Sequence, residues 1–280
     1  MKFAYSTNAY RKFTLEQTVQ RVSRLGYHAI ELLADVPHAW PAGLLPVQIE
    51  QIKELLERNR LAISNINAFM MNAVADPRQP YWHPSWIEPS ADYRAIRREH
   101  TKRCLRLASE LGAKNIQTNP GGPIPPGMTR QEAYDIFYDE IMPCMEVAQA
   151  AGVDLLIEPE PMLLIEKFEQ YLEFAQRVNS PRLGLNFDIG HAFCVGQEPV
   201  DWIPRLAEHT RHYHIEDINA QRKHHHLVPG EGVIEFKPIL DAIENTGYKG
   251  WVTVELYPYV DDPDIAGGEA LRVLKGFGNF

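Results

Sequence analysis

The feature that most constrains this chain is an alternation that repeats eight times. Short runs rich in β-branched, aliphatic and aromatic residues occur at 2–6, 29–34, 61–69, 115–119, 154–160, 183–190, 210–217 and 251–257. After each comes a stretch with helical periodicity: 14–26, 46–60, 93–112, 131–152, 166–178, 199–208, 236–247 and 265–275. Several of these carry end signals. Thr14 can cap and Gly26 can terminate, Pro46 suits a first helical position, and Gly112 and Gly152 close two longer segments. Strands separated by helices pair in parallel through right-handed crossovers. Eight such units in 280 residues fit an α/β fold closed as a (β/α)8 TIM barrel. A doubly wound open sheet is the competitor, but no GxGxxG or GxxxxGK[ST] motif follows any strand. The expectation is a single barrel domain over 1–280. The Pro-rich stretches 76–91 and 120–127 then read as long βα loops that roof an active site.

Composition narrows the function classes. The chain is 45% apolar and 23% charged, as in soluble globular proteins. A net charge of −9 argues against nucleic acid or an anionic membrane as partner. No run of eighteen apolar residues occurs, and the N-terminal segment has no apolar signal-like core. The three cysteines, Cys104, Cys144 and Cys194, are scattered and odd in number, which suits reduced thiols and a cytoplasmic location.

Side chains alternate between the two faces of a strand, and in the last four strands this parity isolates ionisable residues. In 154–160, Leu155 and Ile157 share one face while Leu156, Glu158 and Glu160 share the other. In 183–190, Leu183, Leu185 and Phe187 oppose Gly184, Asn186 and Asp188. In 210–217, Tyr213 and Ile215 oppose His212, His214 and Glu216, and in 251–257, Val252, Val254 and Leu256 oppose Thr253 and Glu255. One face suits packing against helices. The other carries an ionisable residue near the strand's C-terminal end, where a barrel would make Glu158, Asp188, His214 and Glu255 converge. Three carboxylates so close repel strongly, and a divalent cation removes the difficulty. Two Glu, one Asp and one His suit one Mn²⁺, Mg²⁺, Co²⁺ or Zn²⁺ ion. Taken singly, Asp188 could instead cap a turn, His214 could be a hydrogen-bonded core histidine, and the glutamates could pair with arginines. Joint placement in four strands favours the metal.

Other features are weaker. His209, His212, His214, His224, His225 and His226 form a dense group that reads as a metal loop or a solvated patch. Within it His226, ahead of "LVPGEG", is the functional candidate, while His224 and His225 read as surface. Glu160 reads equally as a substrate contact or as simply exposed. The "NPGGP" at 119–123 fits a tight turn better than an anion site. Tyr81, Trp82 and Trp86 could wall a pocket or anchor their loop. Arg222, Lys223 and Lys237 are candidates for a phosphate, without a convincing site.

The segments "LLIEPE", "NFDIGHAF", "HYHIEDI", "HLVPGEGVIEF" and "TVELY" resemble the xylose isomerase-like TIM-barrel superfamily. That group includes ketose 3-epimerases, hydroxypyruvate isomerases, inosose isomerases and dehydratases, and endonuclease IV-type repair enzymes. The resemblance is close in the second half of the chain and holds in outline in the first. It implies metal ligation by Glu158, Asp188, His214 and Glu255, acid–base roles for Glu158 and Glu255, and substrate contacts from His191 and His226. Asn67 and Asn119 stand where the endonuclease branch has zinc-binding histidines, and His224 stands where it has an aspartate, so a trinuclear site and DNA repair are disfavoured. Asn67, Asn119 and Glu160 are further substrate-contact candidates. The expected activity is isomerisation or epimerisation of a sugar, sugar-derived ketone or cyclitol by proton transfer through a metal-bound enediolate. The alternatives are dehydration of an inosose or dehydroshikimate-like ketone and, further off, a non-catalytic binding barrel. The expected partner is a small polyol or ketose, and the resemblance is compatible with a homodimer.

Overall fold

The computed structural model describes residues 1–69, 71 and 80–278. Eight strands form the sheet: β1 (Lys2–Ser6), β2 (Ala29–Leu33), β3 (Ala62–Asn67), β4 (Asn115–Thr118), β5 (Asp154–Ile157), β6 (Leu183–Asp188), β7 (Thr210–Ile215) and β8 (Trp251–Val254). Each pairs in parallel with the next, and β8 returns to β1 to close the barrel. The helices are α1 (Leu15–Leu25), α2 (Pro46–Asn59), α3 (Ala91–Leu111), α4 (Arg130–Ala151), α5 (Phe168–Val178), α6 (Ile189–Cys194), α7 (Pro199–Trp202), α8 (Phe236–Asn245) and α9 (Pro263–Lys275). Among the described residues, no helix is long and apolar enough to cross a membrane.

The end signals act as their chemistry dictates. Thr14 and Gln17 exchange side-chain-to-backbone hydrogen bonds at the start of α1, and Gly26 ends that helix at φ 89°. Thr129 and Glu132 form the same box on α4. Two expectations shift. The periodic stretch 199–208 breaks into α7 and a 3-10 turn at Pro204–Leu206, because Pro204 has no N–H and its ring opposes a continuing α-helix. The end of the 183–190 run leaves the sheet after Asp188 and winds into α6, whose first turn Asp188 caps through the His191 N–H at 2.7 Å. The fifth and eighth strands also stop earlier than expected, at Ile157 and Val254. Glu158 and Glu255 therefore sit one residue past the sheet, on the rim of its C-terminal mouth.

The two faces of the barrel wall differ as the parity requires. Phe3, Tyr5, Ile30, Ile116, Leu155, Ile157, Leu185, Phe187, Tyr213, Ile215, Val252 and Val254 belong to the apolar core beneath the helices. The interior is polar and internally bonded. His212 reaches Asn186 Oδ1 through Nδ1 at 2.9 Å and Thr253 Oγ1 through Nε2 at 2.8 Å, and Thr253 Oγ1 lies 3.0 Å from Ser64 Oγ. Burial holds His212 neutral, with its pKa down at about 3. Gly184 leaves space for neighbours in this layer: a Cβ there would come within 2.7 Å of Leu156 Cδ2 and of Arg211 Cγ. A plug of satisfied polar groups is tolerated because each donor has an acceptor, and it supports the charged layer above it.

Candidate active site

The next layer toward the mouth holds the ionisable residues. Ligand atoms of Glu158, Asp188, His214 and Glu255 all lie within 4.8 Å of one another. His214 Nδ1 is 2.7 Å from Glu158 Oε1 and 3.6 Å from both Asp188 Oδ2 and Glu255 Oε2. All four residues are buried. Amides hold the carboxylates in place: Gln117 Nε2 donates to Glu158 Oε2 at 2.9 Å, Asn186 Nδ2 to Glu158 Oε1 at 3.0 Å, and Asn8 Nδ2 to Glu255 Oε1 at 2.8 Å. Asn67 Nδ2 adds a longer bond to Glu255 Oε1 at 3.3 Å.

The electrostatics show crowding. Burial, followed by the charges of Glu158, Glu31 and Asp188, pushes the Glu255 carboxyl well above the usual range, against the pull of His214. Burial opposes charge on His214 as well, but Glu31, Glu158 and Glu255 outweigh it and raise the imidazole well above its ordinary value. Burial would also raise Asp188, yet His191, His214 and His226 around it bring it well below the usual carboxylate range. Asp188 Oδ2 and Glu216 Oε2 are buried without a hydrogen-bond donor. Glu216 is pushed up by burial and by Asp188, while its other oxygen accepts the Gly190 N–H at 2.7 Å. Gly190 lets this contact form, since a Cβ there would stand 1.9 Å from Glu216 Oε1 and force the carboxylate to shift. Three convergent carboxylates, one of them with an orphaned buried oxygen on Asp188, and one imidazole nitrogen fit a divalent cation.

Outward from this set lies a cavity of about 230 Å³, lined by Asn8, Arg11, Asn67, Phe69, Tyr81, Glu158, Glu160, His191, His224, His226, Glu255 and Tyr257. His191 and His226 face one another across it, Nε2 to Nε2 at 3.4 Å, and each is oriented by a backbone carbonyl on Nδ1: Pro159 O at 3.1 Å and Glu255 O at 2.8 Å. Burial would lower His191, but Asp188 and Glu160 raise it, whereas burial keeps His226 neutral at about 3. With each Nδ1 turned to a carbonyl, a hydrogen bond between the two Nε2 atoms needs a proton on one of them, and the carboxylates around His191 favour it there. Glu160 is buried; burial lifts its carboxyl to about 7 against the pull of His191 and the hydrogen bond from Tyr81 Oη at 2.5 Å.

The structure rearranges several expectations. His224, read as surface, lines the cavity with its ring centroid 4.5 Å from that of His191, because the chain after β7 folds back over the mouth. His225 is exposed. Asn119 is absent from the cavity wall: β4 ends at Thr118, and Asn119 turns its Nδ2 to Trp82 O at 3.2 Å. Gln117 is the residue of that strand that reaches the site. No residue of the 120–127 loop lines the cavity, and the carbonyls of Gly121 and Gly122 accept from the backbone N–H groups of Trp86 and Leu164. Trp86 is an anchor, donating to Thr118 Oγ1 at 3.1 Å, and Tyr81 is a wall residue. Positions 76–79 of the other long loop lie outside the described residues. Glu31 is a further residue of this layer, and a glutamate inside "AIELLA" carries the same parity signal as Glu158, Asp188, His214 and Glu255.

A closed parallel barrel with its ionisable residues gathered at the C-terminal mouth has the layout of (β/α)8 barrel enzymes. A family model described as xylose isomerase-like TIM barrel matches residues 19–276, and the chain belongs to that family. Fructoselysine 3-epimerase of Escherichia coli O157:H7 is 25% identical over 289 aligned residues, covering 98% of each chain. An inosose dehydratase of Clostridium beijerinckii is 24% identical over 280 residues, covering 90% of this chain and 84% of its own. Among solved structures, the IOLI protein with a binding zinc atom superposes with a TM-score of 0.79 at 18% identity, covering 100% of both chains. That last likeness is one of fold.

Proposed function

We propose that this protein is a divalent-metal-dependent isomerase or epimerase of a sugar, sugar-derived ketone or cyclitol. The observation that carries the reading is the convergence of Glu158, Asp188, His214 and Glu255 at the floor of a cavity that polar side chains line. These four would hold the cation. When bound, it supplies Lewis-acid polarisation of a ketone and acidifies the neighbouring C–H. Glu158 and Glu255 both line the cavity, so either can take that proton and the other return one, which is the requirement for inversion at a single carbon. Return of the proton to the adjacent carbon would give aldose–ketose isomerisation. His191, protonated on Nε2, donates to a substrate oxygen, and His226 accepts from a hydroxyl. Asn67 and Glu160 bind further hydroxyls.

Similarity to a fructoselysine 3-epimerase along nearly the whole chain supports proton transfer on a ketose derivative. Similarity to inosose dehydratases supports a second reading, in which the same proton abstraction is followed by loss of a β-hydroxyl as water. The test is metal content per chain on protein purified without chelators, followed by incubation with a panel of ketoses and inososes in D₂O, read by NMR. One divalent ion per chain and deuterium incorporation with an epimer or isomer are expected. A dehydrated product without epimer would move the assignment to the second reading, and absence of metal binding would refute both.

A further inference from the structure

Glu31 lies outside the four-residue ligand set yet touches it. It stands at the middle of β2, fully buried, with its side chain inside the barrel. Its Oε2 is 2.7 Å from His214 Nε2, so the two edges of that imidazole have separate tasks: Nε2 faces Glu31, and Nδ1 faces Glu158, Asp188 and Glu255. Three donors hold the Glu31 carboxylate in place: Ser6 Oγ at 2.8 Å and Asn67 Nδ2 at 3.4 Å on Oε1, and Asn65 Nδ2 at 2.8 Å on Oε2. Asn65 is itself bonded to Gln117 Oε1 and accepts from Asn115 Nδ2 at 2.6 Å. Glu31 is thus mounted on residues from three strands and cannot turn away from His214 without breaking this network.

A neutral imidazole carries one N–H, and a carboxylate can only accept. Both nitrogens of His214 face a carboxylate oxygen at 2.7 Å, Glu31 on Nε2 and Glu158 on Nδ1. A cation held among Glu158, Asp188 and Glu255 would replace the proton on Nδ1 alone, because Glu31, fixed by its three donors, keeps the one on Nε2. We propose that Glu31 is a positioning residue that fixes the tautomer and ring orientation of His214, so that Nδ1 is the nitrogen offered to the cation. The proposal rests on the metal-centre reading above. A carboxylate on the far nitrogen of a ligating histidine raises its basicity, and loss of such a partner typically weakens metal binding 10- to 100-fold. A purely structural Glu31 would stabilise the fold and leave metal affinity and tautomer alone.

The test uses the whole chain loaded with diamagnetic Zn²⁺ and two readouts besides activity. Zinc affinity of the wild type, Glu31→Gln and Glu31→Leu is measured by competition with a chelating indicator. Nitrogen-15 spectra of labelled histidines then report which nitrogen of His214 holds the proton. The expected result is a dissociation constant about tenfold or more higher in Glu31→Gln, which keeps an acceptor but loses the charge, and a larger rise in Glu31→Leu. In the wild type, His214 is expected to show a protonated Nε2 and a metal-bound Nδ1. Unchanged zinc affinity in folded variants overturns the Glu31 assignment alone, as does a wild-type spectrum with Nε2 on the metal. That spectrum decides the matter even if both variants fail to fold. A wild type that binds no zinc, manganese, magnesium or cobalt overturns the assignment together with the metal-centre reading.

Discussion

Glu255→Gln separates the cost of crowding these carboxylates from the gain of binding a cation. In the metal-free protein the Glu255 carboxyl is raised well above its ordinary value, by burial first and neighbouring carboxylates second. A carboxyl that holds its proton more tightly in the folded than in the unfolded state loses stability as pH rises from the unfolded pKa, about 4.3, toward the folded one. Glutamine resembles the protonated form and can still accept from Asn8 Nδ2, which now lies 2.8 Å from Glu255 Oε1. Metal-free Glu255→Gln is therefore expected to match the wild type near pH 4.5 and to become the more stable of the two toward pH 8. With metal the order reverses. At a free concentration one hundred times the dissociation constant, a ligand that binds only the folded state stabilises it by about 2.7 kcal/mol. At about 2 °C per kcal/mol for a chain of this size, that is about 5 °C in Tm. If the substitution weakens binding about a hundredfold, the same concentration stabilises by only about 0.4 kcal/mol, or about 1 °C. Differential scanning fluorimetry with and without Mn²⁺ or Zn²⁺, across pH, measures both arms. A metal-induced shift as large in the variant as in the wild type would refute ligation by Glu255. A variant that is several degrees less stable without metal at pH 8 would refute the crowding argument.

Further outcomes follow from individual contacts. Asn186→Ala removes the acceptor of His212 Nδ1, while Glu158 Oε1 keeps His214 Nδ1 at 2.7 Å; at about 1–3 kcal/mol for the one buried group left unpaired, urea unfolding should show a loss of about 1–3 kcal/mol. Gly190→Ala places a methyl 1.9 Å from Glu216 Oε1, so overpacking should cost about 1–3 kcal/mol, and a Tm equal to that of the wild type would show that Glu216 moves freely. Glu160, raised to about 7 by burial, costs stability progressively between its unfolded pKa near 4.3 and pH 7. Glu160→Gln should flatten the stability–pH curve in that window, and an unchanged slope would place the titration elsewhere.

The barrel was legible because its signals are local. Eight apolar runs with period-2 alternation and eight periodic segments ending at Gly26, Gly112, Gly152 and similar positions require only near neighbours to be read. The convergence of four ionisable residues was legible for the same reason: strand parity puts Glu158, Asp188, His214 and Glu255 on one face, and barrel closure brings four strand ends to one mouth. Parity applied to "AIELLA" as well would have found Glu31.

What the sequence determined by itself is therefore the fold class and which strand residues look inward, since both follow from the stereochemistry of the chain. Only the tertiary structure decided how those residues are served. That His214 turns Nε2 to Glu31 depends on the packing of β2 against strands far away in the chain. That Gln117 rather than Asn119 reaches Glu158 depends on where β4 ends. That His224 enters the cavity depends on how the segment after β7 folds back. Hydrogen-bond partners are chosen at distances of about 3 Å, between residues as far apart as Glu31 and His214, and no local pattern encodes such a meeting.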